Sequence, residues 1–315
     1  MPHSSSTPAI EKLTDIIKES AHTLGFEKVG IAPATPLDSE ADRLDEWLHH
    51  GRHATMSWMA VRSDERKNIL NYFPEAKSVI CVGMNYFHGI ADGEMKISNY
   101  AWGDDYHVLL KERLYQLLES VKERLPDVKG VACVDTSPVM EKVWAQRAGL
   151  GWIGKHTNLI SRDYGSWLFL GELILDCELD YDDRFEEDLC GSCTACLDAC
   201  PTDAIVEDYL VDSRRCISYL TIEHRGDLPD EFAGQLGEWI YGCDICQEVC
   251  PWNQKFSQKS REPLFAPTSE IVERNPEEWS RLTEEEYRRI FRNSPVKRAK
   301  FTGLKRNIQS VLSNS

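Results

Sequence analysis

The feature that most constrains this chain is a run of four cysteines within residues 190–201, CGSCTACLDACP, with a proline directly after the last cysteine. A second group consists of Cys216 and the segment CDICQEVCP at residues 243–251. Together the two groups hold eight of the eleven cysteines. The first residues show no basic segment followed by an apolar core, so we expect no export signal and no disulfides.

The spacing of these cysteines predicts two [4Fe–4S] clusters. The first run reads C-x2-C-x2-C-x3-C-P, and the second group completes the same pattern if Cys216 is a first member displaced upstream. In bacterial ferredoxins, which have this pattern, the fourth cysteine of each run ligates the other cluster. One cluster is then expected on Cys190, Cys193, Cys196 and Cys250, and the other on Cys200, Cys216, Cys243 and Cys246. Zinc is the alternative, but four-cysteine zinc sites usually show paired C-x2-C units.

The charge of the chain is unevenly distributed. The net charge of −16 argues against general affinity for nucleic acids. Residues 288–315 nevertheless hold eight Lys or Arg and no Asp or Glu, whereas residues 176–188 hold eight acids and one Arg. The basic segment fits either a solvated helix or a contact with a polyanion. No apolar run of about 18 residues is present, so we expect no membrane span and a cytoplasmic location.

The order of periodic segments predicts an α+β fold class. Helices are expected at 8–24, 39–51 and 104–125, and short apolar strands at 28–34, 76–87 and 128–135. A further helix is expected to open at Ser137-Pro138, and two strands are expected around a Tyr-Gly turn in residues 157–176. We therefore expect a layered α+β domain over residues 1–180, a ferredoxin-like two-cluster domain over 181–260 and a helical basic segment over 261–315.

The N-terminal domain is larger than an electron relay requires. Such clusters pass single electrons, so the electrons are expected to reach a group held by that domain. No GxGxxG motif follows a strand and no Walker A loop is present, so a nicotinamide or nucleotide partner has no support. The stretch GLGWIGKHTNLI, residues 149–160, either cradles the edge of a polar cofactor or forms an ordinary turn.

Several motifs occur in one order along the chain: VDTSPVMEK (134–142), GLGWIGKHTNLI (149–160), GSWLFLGELILD (165–176), CISYLTIEHRG (216–226), YGCDICQEVCPWN (241–253) and SPVKRAKFTGLKRN (294–307). With them and the cysteine groups, the chain resembles the tRNA epoxyqueuosine reductase family over nearly its whole length. The resemblance implies a cobalamin-binding N-terminal domain, similar to that of reductive dehalogenases, beside the two clusters. It also implies reduction of epoxyqueuosine to queuosine at the tRNA wobble position by a short form without C-terminal helical repeats.

Converting an epoxide to an alkene takes two electrons and two protons, and the opening oxygen needs a general acid. Asp135, at the end of a predicted strand, is the candidate acid and matches the proton-donor position of the family. Donation near neutral pH would need a raised pKa, through burial under the corrin or against the substrate. A polar residue beside a turn is the structural alternative. Tyr106 and His107 are weaker candidates for protonation or substrate positioning.

The resemblance implies further contacts. Cobalamin contacts are expected from Ser57, Trp58, Tyr100, Ala101, Asp135, Lys155, His156, Asn158, Ser218, His224 and Tyr241. Contacts to tRNA are expected from Tyr106, Lys297, Arg298, Lys300, Lys305 and Arg306, the basic ones through phosphates. We expect a monomer served by an external low-potential electron donor. Two other functions stay open: a corrinoid dehalogenase-like enzyme acting on a small organohalide, and a pure electron-transfer protein.

Overall fold

The computed structural model describes residues 8–232 and 234–313. Its strands are β1 Lys28–Pro33, β2 Ser78–Asn85, β3 Lys96–Ile97, β4 Gly130–Cys133, β5 Trp152–Ile153, β6 Leu159–Ile160, β7 Leu168–Leu175, β8 Ile205–Glu207, β9 Leu210–Val211 and β10 Trp239–Tyr241. Its α-helices are α1 Pro8–Thr23, α2 Ser39–His49, α3 Trp58–Val61, α4 Ser63–Lys67, α5 Ile69–Tyr72, α6 Tyr106–Lys122, α7 Glu141–Arg147, α8 Ala195–Asp198, α9 Ile217–Ile222, α10 Ile245–Glu248, α11 Pro251–Phe256, α12 Ser269–Val272, α13 Pro276–Ser280, α14 Glu284–Ile290 and α15 Lys300–Leu312. Short 3₁₀ helices cover Asn99–Ala101, Pro263–Phe265 and Pro295–Ala299. The expectation of no export signal concerns residues 1–7, which lie outside the described residues.

An antiparallel sheet in the order β1-β2-β7-β4 forms the centre of the N-terminal region. Strands β2 and β7 pair over their whole length, from Ser78 opposite Leu175 to Asn85 opposite Leu168. Every residue of both strands is buried, because helices cover both faces of the sheet. The strands and helices form the layered α+β arrangement that the sequence predicts.

The two faces of the sheet bury alternate residues of the same strands. On one face, Ile80 and Val82 of β2 pack with Leu110 and Leu114 of α6. On the other face, Cys81 packs in the core that contains α7. The loop that leads from β4 into α7 is therefore held between two buried elements at the edge of the sheet.

The predicted helix start at Ser137-Pro138 is wrong, since α7 begins at Glu141. The Ser137 hydroxyl hydrogen-bonds with Cys133 and Tyr72, so it does not cap a helix. Asp135 adopts a left-handed backbone conformation with φ of 52°. Residues 135–140 consequently form a loop, here called the Asp135 loop.

A second core joins three distant regions of the sequence. It includes Trp102, Ile240, Trp279 and Leu304, and β3 pairs in parallel with β10. The cluster segment and the C-terminal helices therefore pack against part of the N-terminal region, and the boundaries near 180 and 260 stay a prediction. Within residues 8–232 and 234–313, no helix is both long and apolar enough to cross a membrane.

Candidate active site

The first three cysteines of the run lie with the last cysteine of the second group. Cys190, Cys193, Cys196 and Cys250 line one cavity of about 190 Å³. Cys193 is exposed, whereas Cys196 and Cys250 are buried. The indole N–H of Trp152 donates to Cys190 Sγ at 3.5 Å. This is the grouping that a crossed pair of clusters needs.

The other four predicted ligands, Cys200, Cys216, Cys243 and Cys246, line a second and larger cavity of about 350 Å³. The backbone N–H of Ala204 donates to Cys200 Sγ at 3.2 Å. The backbone N–H groups of Ser218 and Tyr219 donate to Cys216. Because N–H donors stabilise a thiolate, this set of sulfurs suits an iron–sulfur cluster.

Four of the predicted cofactor contacts line the same large cavity: Tyr100, His156, Asn158 and Ser218. Two of them come from the turn between β5 and β6, which the Gly154 N–H closes by donating to the Asn158 carbonyl at 2.8 Å. A Cβ on Gly151 would lie 2.0 Å from the Ile160 carbonyl oxygen. Glycine is therefore needed for this hairpin to close and to direct its turn at the cavity.

His156 borders both cavities. Its Nδ1 accepts a hydrogen bond from the Asn158 N–H at 3.1 Å, while its buried Nε2 has no hydrogen-bond partner among the described residues. Burial, and then the charge of Lys142, lowers the pKa of His156 to about 4. The imidazole is therefore neutral, with a free N–H at Nε2. A buried donor is costly without an acceptor, so this donor fits a polar cofactor held here.

The other seven predicted cofactor contacts lie outside the lining of the large cavity: Ser57, Trp58, Ala101, Asp135, Lys155, His224 and Tyr241. Ser57 and Trp58, at α3, are exposed, whereas Ala101 is buried. Lys155 borders the smaller cavity and forms an ion pair of 3.0 Å with Asp208. The Tyr241 hydroxyl lies 3.1 Å from that of Tyr100 and so supports a residue of the cavity wall.

Asp135 is connected to the large cavity through α6. Its carboxylate lies 3.0 Å from Nε2 of His107, whose Nδ1 lies 2.6 Å from Asp105. Burial acts to lower the pKa of His107, but hydrogen bonds to the two carboxylates outweigh it and raise the pKa to about 9. His107 is therefore protonated at neutral pH and donates to both. Tyr106 lines the cavity and stacks on His107 with ring centroids 4.1 Å apart.

Two further residues, Glu141 and Lys142, lie beside Asp135 and the cavity and were not predicted from the sequence. The Glu141 carboxylate accepts a hydrogen bond from the backbone N–H of Asp135. Burial, and then the charge of Asp135, raises the pKa of Glu141 to about 8. Lys142 lines the cavity and donates to Asn158 at 3.0 Å. Both lie in the motif VDTSPVMEK, so their place in that motif was the available signal.

The predicted tRNA contacts of the C-terminal segment differ in their surroundings. Lys305 and Arg306 donate to backbone carbonyls in residues 280–282 and 220–226 respectively. They therefore tie α15 to the second core.

The other three basic residues lie on or beside the 3₁₀ helix Pro295–Ala299. Arg298 forms two hydrogen bonds of 2.7 Å with Glu223. Lys297 and Lys300 are exposed, and Lys297 is close enough to Asp105 to act on its charge. These two lysines are the better placed of the five to meet a phosphate.

A layered domain with a mainly apolar cavity, next to eight cysteines in two crossed sets, defines an iron–sulfur redox enzyme. Residues 189–253 match the model of a 4Fe-4S double cluster binding domain. Two [4Fe–4S] clusters are thereby confirmed over zinc. Residues 66–136 match the model described as "Epoxyqueuosine reductase QueG, DUF1730".

Curated relatives extend this match over nearly the whole chain. The epoxyqueuosine reductase of Cellulophaga algicola is 46% identical over 300 residues, which cover 95% of this chain and 97% of that protein. That of Synechocystis sp. is 46% identical over 297 residues, covering 90% and 100%. The chain therefore belongs to the epoxyqueuosine reductase family.

Solved structures agree with this assignment. An epoxyqueuosine reductase crystallised with an epoxyqueuosine-modified tRNA stem loop superposes with a TM-score of 0.87 at 30% identity, covering 96% of this chain and 81% of that one. The Bacillus subtilis enzyme, in a structure whose catalytic aspartate loop is swung out of the active site, gives a TM-score of 0.87 at 29% identity, covering 96% and 82%.

Proposed function

We propose that this protein reduces epoxyqueuosine to queuosine at the wobble position of tRNA, using a cobalamin in the large cavity and electrons from the two clusters. One observation carries the proposal. One cavity is bordered by the second cysteine set, by His156 with its free Nε2 and by Tyr106. Tyr106 stacks on His107, which in turn contacts Asp135. The relative crystallised with a modified tRNA stem loop supports the substrate.

The cavity offers groups that suit cobalamin. When bound, cobalamin supplies a redox-active, nucleophilic metal centre for the reduction. His156 would donate from Nε2 to a polar group at the corrin edge, and Asn158 and Lys142 would present their polar ends beside it. Leu168 and Leu170 of β7 provide apolar wall, so the site combines a dry surface with a few polar contacts.

The proton chemistry belongs to the Asp135–His107 pair. Conversion of the epoxide to an alkene and water consumes two electrons and two protons. The His107 imidazolium would pass one proton through Asp135 to the epoxide oxygen as the ring opens, with Asp105 holding the imidazole in place. His107 would then take up a second proton from solvent. Asp135 would pass that proton to the hydroxyl, which leaves as water.

The partners follow from the same scheme. Lys297 and Lys300 would contact phosphates of the tRNA, since both are exposed and Lys297 is close enough to Asp105 to act on its charge. An external low-potential donor must supply the electrons, and exposed Cys193 marks the cluster nearer to solvent. The monomeric state and the cytoplasmic location stay predictions.

A turnover assay tests the proposal. The protein would be reconstituted anaerobically with iron, sulfide and cobalamin, then given a reductant and tRNA that carries epoxyqueuosine. Mass spectrometry of the digested nucleosides would report the loss of one oxygen atom. We expect conversion that depends on cobalamin and is abolished by Asp135→Asn. Conversion that is equally fast without cobalamin, or in Asp135→Asn, would contradict the proposal.

A further inference from the structure

Arg66, on α4, is a buried cation that pairs with no carboxylate among the described residues. Its exposed fraction is 8%, and its Nε is buried with no hydrogen-bond acceptor. Among the residues that the structure describes, none forms an ion pair with its guanidinium. Buried arginines are nearly always paired, because an uncompensated charge is costly to remove from water. An unpaired arginine therefore indicates an anionic partner that binds from outside the chain.

The surroundings of Arg66 resemble those of a nucleic-acid contact. The guanidinium carbon lies 5.7 Å from the centre of the Trp58 ring, and Trp58 is 44% exposed. An arginine that lies over an aromatic ring is attracted to it, and its forked N–H donors match a phosphate. Arg62, one turn earlier on the chain, is already paired with Glu65 at 3.0 Å, so Arg66 is the unpaired arginine of this segment.

The position of Arg66 relative to Asp135 indicates which anion it meets. The charges of Asp135 and Glu141 both act on Arg66, although neither residue pairs with it. From another element, Arg298 also senses the charge of Asp135. The proposed proton donor thus has cations on two separate elements around it. A polyanionic backbone that delivers a base to Asp135 would pass these cations.

We propose that Arg66, supported by the Trp58 ring, binds a phosphodiester group, and that this group belongs to the RNA backbone next to the modified nucleoside. The inference rests on the proposed function, since it takes tRNA as the substrate. The nucleotide loop of cobalamin also carries a phosphodiester, so the test must separate the two sources.

The experiment compares Arg66→Gln with Arg281→Gln, which removes the same charge from an arginine that is 76% exposed at the end of α13. Fluorescence anisotropy would give the affinity of each reconstituted, cobalamin-loaded protein for the modified anticodon stem loop over a range of salt concentrations. Absorption titration would give cobalamin affinity separately. We expect Arg66→Gln to weaken RNA binding roughly tenfold and to reduce the salt slope by about 0.7 to 1. The cobalamin affinity of Arg66→Gln should equal that of the wild type. Arg281→Gln should match the wild type in RNA affinity, salt slope and cobalamin affinity.

Two results would overturn the inference: unchanged RNA affinity and salt slope, or a loss confined to cobalamin affinity, which would assign the phosphodiester to the cofactor. Arg66→Lys covers the case in which the glutamine variant does not fold. The lysine variant should keep the salt slope but bind RNA more weakly, because an ammonium group lacks the forked donors of a guanidinium. If Arg66→Lys binds RNA as tightly as the wild type does, the forked contact is contradicted. Wild-type protein that binds the stem loop without converting it would instead refute the proposed function.

Discussion

His107 lies between two carboxylates, with Nε2 3.0 Å from Asp135 and Nδ1 2.6 Å from Asp105. The two hydrogen bonds outweigh burial and raise the pKa of His107 to about 9. At neutral pH the imidazole therefore stores a proton beside the residue proposed to donate one. Asp105 is also the N-cap of α6, so the start of that helix fixes both the carboxylate and the histidine.

Replacing His107 should slow proton delivery without affecting the clusters. We expect His107→Asn to lower kcat about 10- to 100-fold, within the range of general acid–base contributions. The imidazolium is present below its pKa of about 9 and lost above it. Wild-type kcat should therefore fall as pH rises through about 9, and the variant should lack this step. Nucleoside mass spectrometry between pH 6 and 10 would measure both. His49→Asn is the control, because it makes the same exchange at an exposed histidine of α2.

Glu141 should act as a positioning residue for Asp135. It accepts the Asp135 N–H while Asp135 holds a left-handed φ of 52°, which L residues adopt only when their surroundings require it. We expect Glu141→Leu to lower kcat at least tenfold with little change in KM, because the loop loses its acceptor. Glu141→Gln keeps an acceptor oxygen and should recover most of the rate. Equal losses in both variants, with intact cobalamin binding, would argue for a different role.

Glu172 should make the protein less stable as pH rises. It is fully buried at the centre of β7, opposite Cys81 and Cys133. In the part of the chain that the structure describes, neither carboxyl oxygen has a hydrogen-bond partner. Burial, and then the charge of Glu141, raises its pKa well above the ordinary value. The group is thus protonated in the folded state, but in the unfolded state it ionises above about pH 4.3.

The sign of this effect follows from linkage. When the pKa of a group is raised in the folded state, its contribution to the free energy of unfolding is fully present below the unfolded-state pKa. This contribution is lost as pH rises towards the folded-state pKa, by at most about 1.4 kcal/mol for each pH unit. Glu172→Met removes the ionisable group and should melt at a higher temperature than the wild type. Anaerobic calorimetry of the reconstituted proteins should show this difference widening from pH 5.5 to pH 8. A constant difference would contradict a protonated Glu172.

The assignment of the cysteines to two crossed sets predicts which pairs of serine substitutions remove both clusters and which remove only one. Cys193 and Cys250 line the smaller cavity, whereas Cys200 lines the larger one. Each single serine substitution should remove about half of the reconstituted iron, since one cluster of two is lost. The double variant with Cys193→Ser and Cys250→Ser should lose no more iron than either single variant. The double variant with Cys193→Ser and Cys200→Ser should lose nearly all of the iron. The reverse pattern of iron content would show uncrossed clusters.

The sequence predicted what depends on short spacing. Local patterns predict long amphipathic helices such as α6, buried strands such as β2 and the short spacings within the cysteine groups. Each of these signals lies within a short stretch of sequence. Arg66 could not be found in this way, because it is distant in sequence from Asp135. The motif VDTSPVMEK contains Glu141, but the letters do not show that its carboxylate accepts the Asp135 N–H. The helix start at Ser137 failed for a similar reason, because the hydroxyl is taken by Cys133 and Tyr72.

The basic C-terminal segment has two sets of residues whose substitution should give opposite results. Lys297 and Lys300 are exposed, so replacing both with Glu should weaken binding of the modified stem loop and reduce its salt slope by about 1 to 2. Thermal stability should stay close to that of the wild type, because neither lysine ties α15 to the core.

Arg306 should behave in the reverse way. It donates to the carbonyls of Leu220 and Gly226 at 2.7 Å each, so Arg306→Gln leaves these acceptors without a charged donor. We expect a loss of about 1.5 to 3 kcal/mol in stability, the range for hydrogen bonds to charged groups, with the salt slope of RNA binding unchanged. The two variants should be compared by anisotropy and calorimetry side by side. If Arg306→Gln lowers the salt slope as much as the double lysine variant does, the arginine meets phosphate and its internal hydrogen bonds are not its main role.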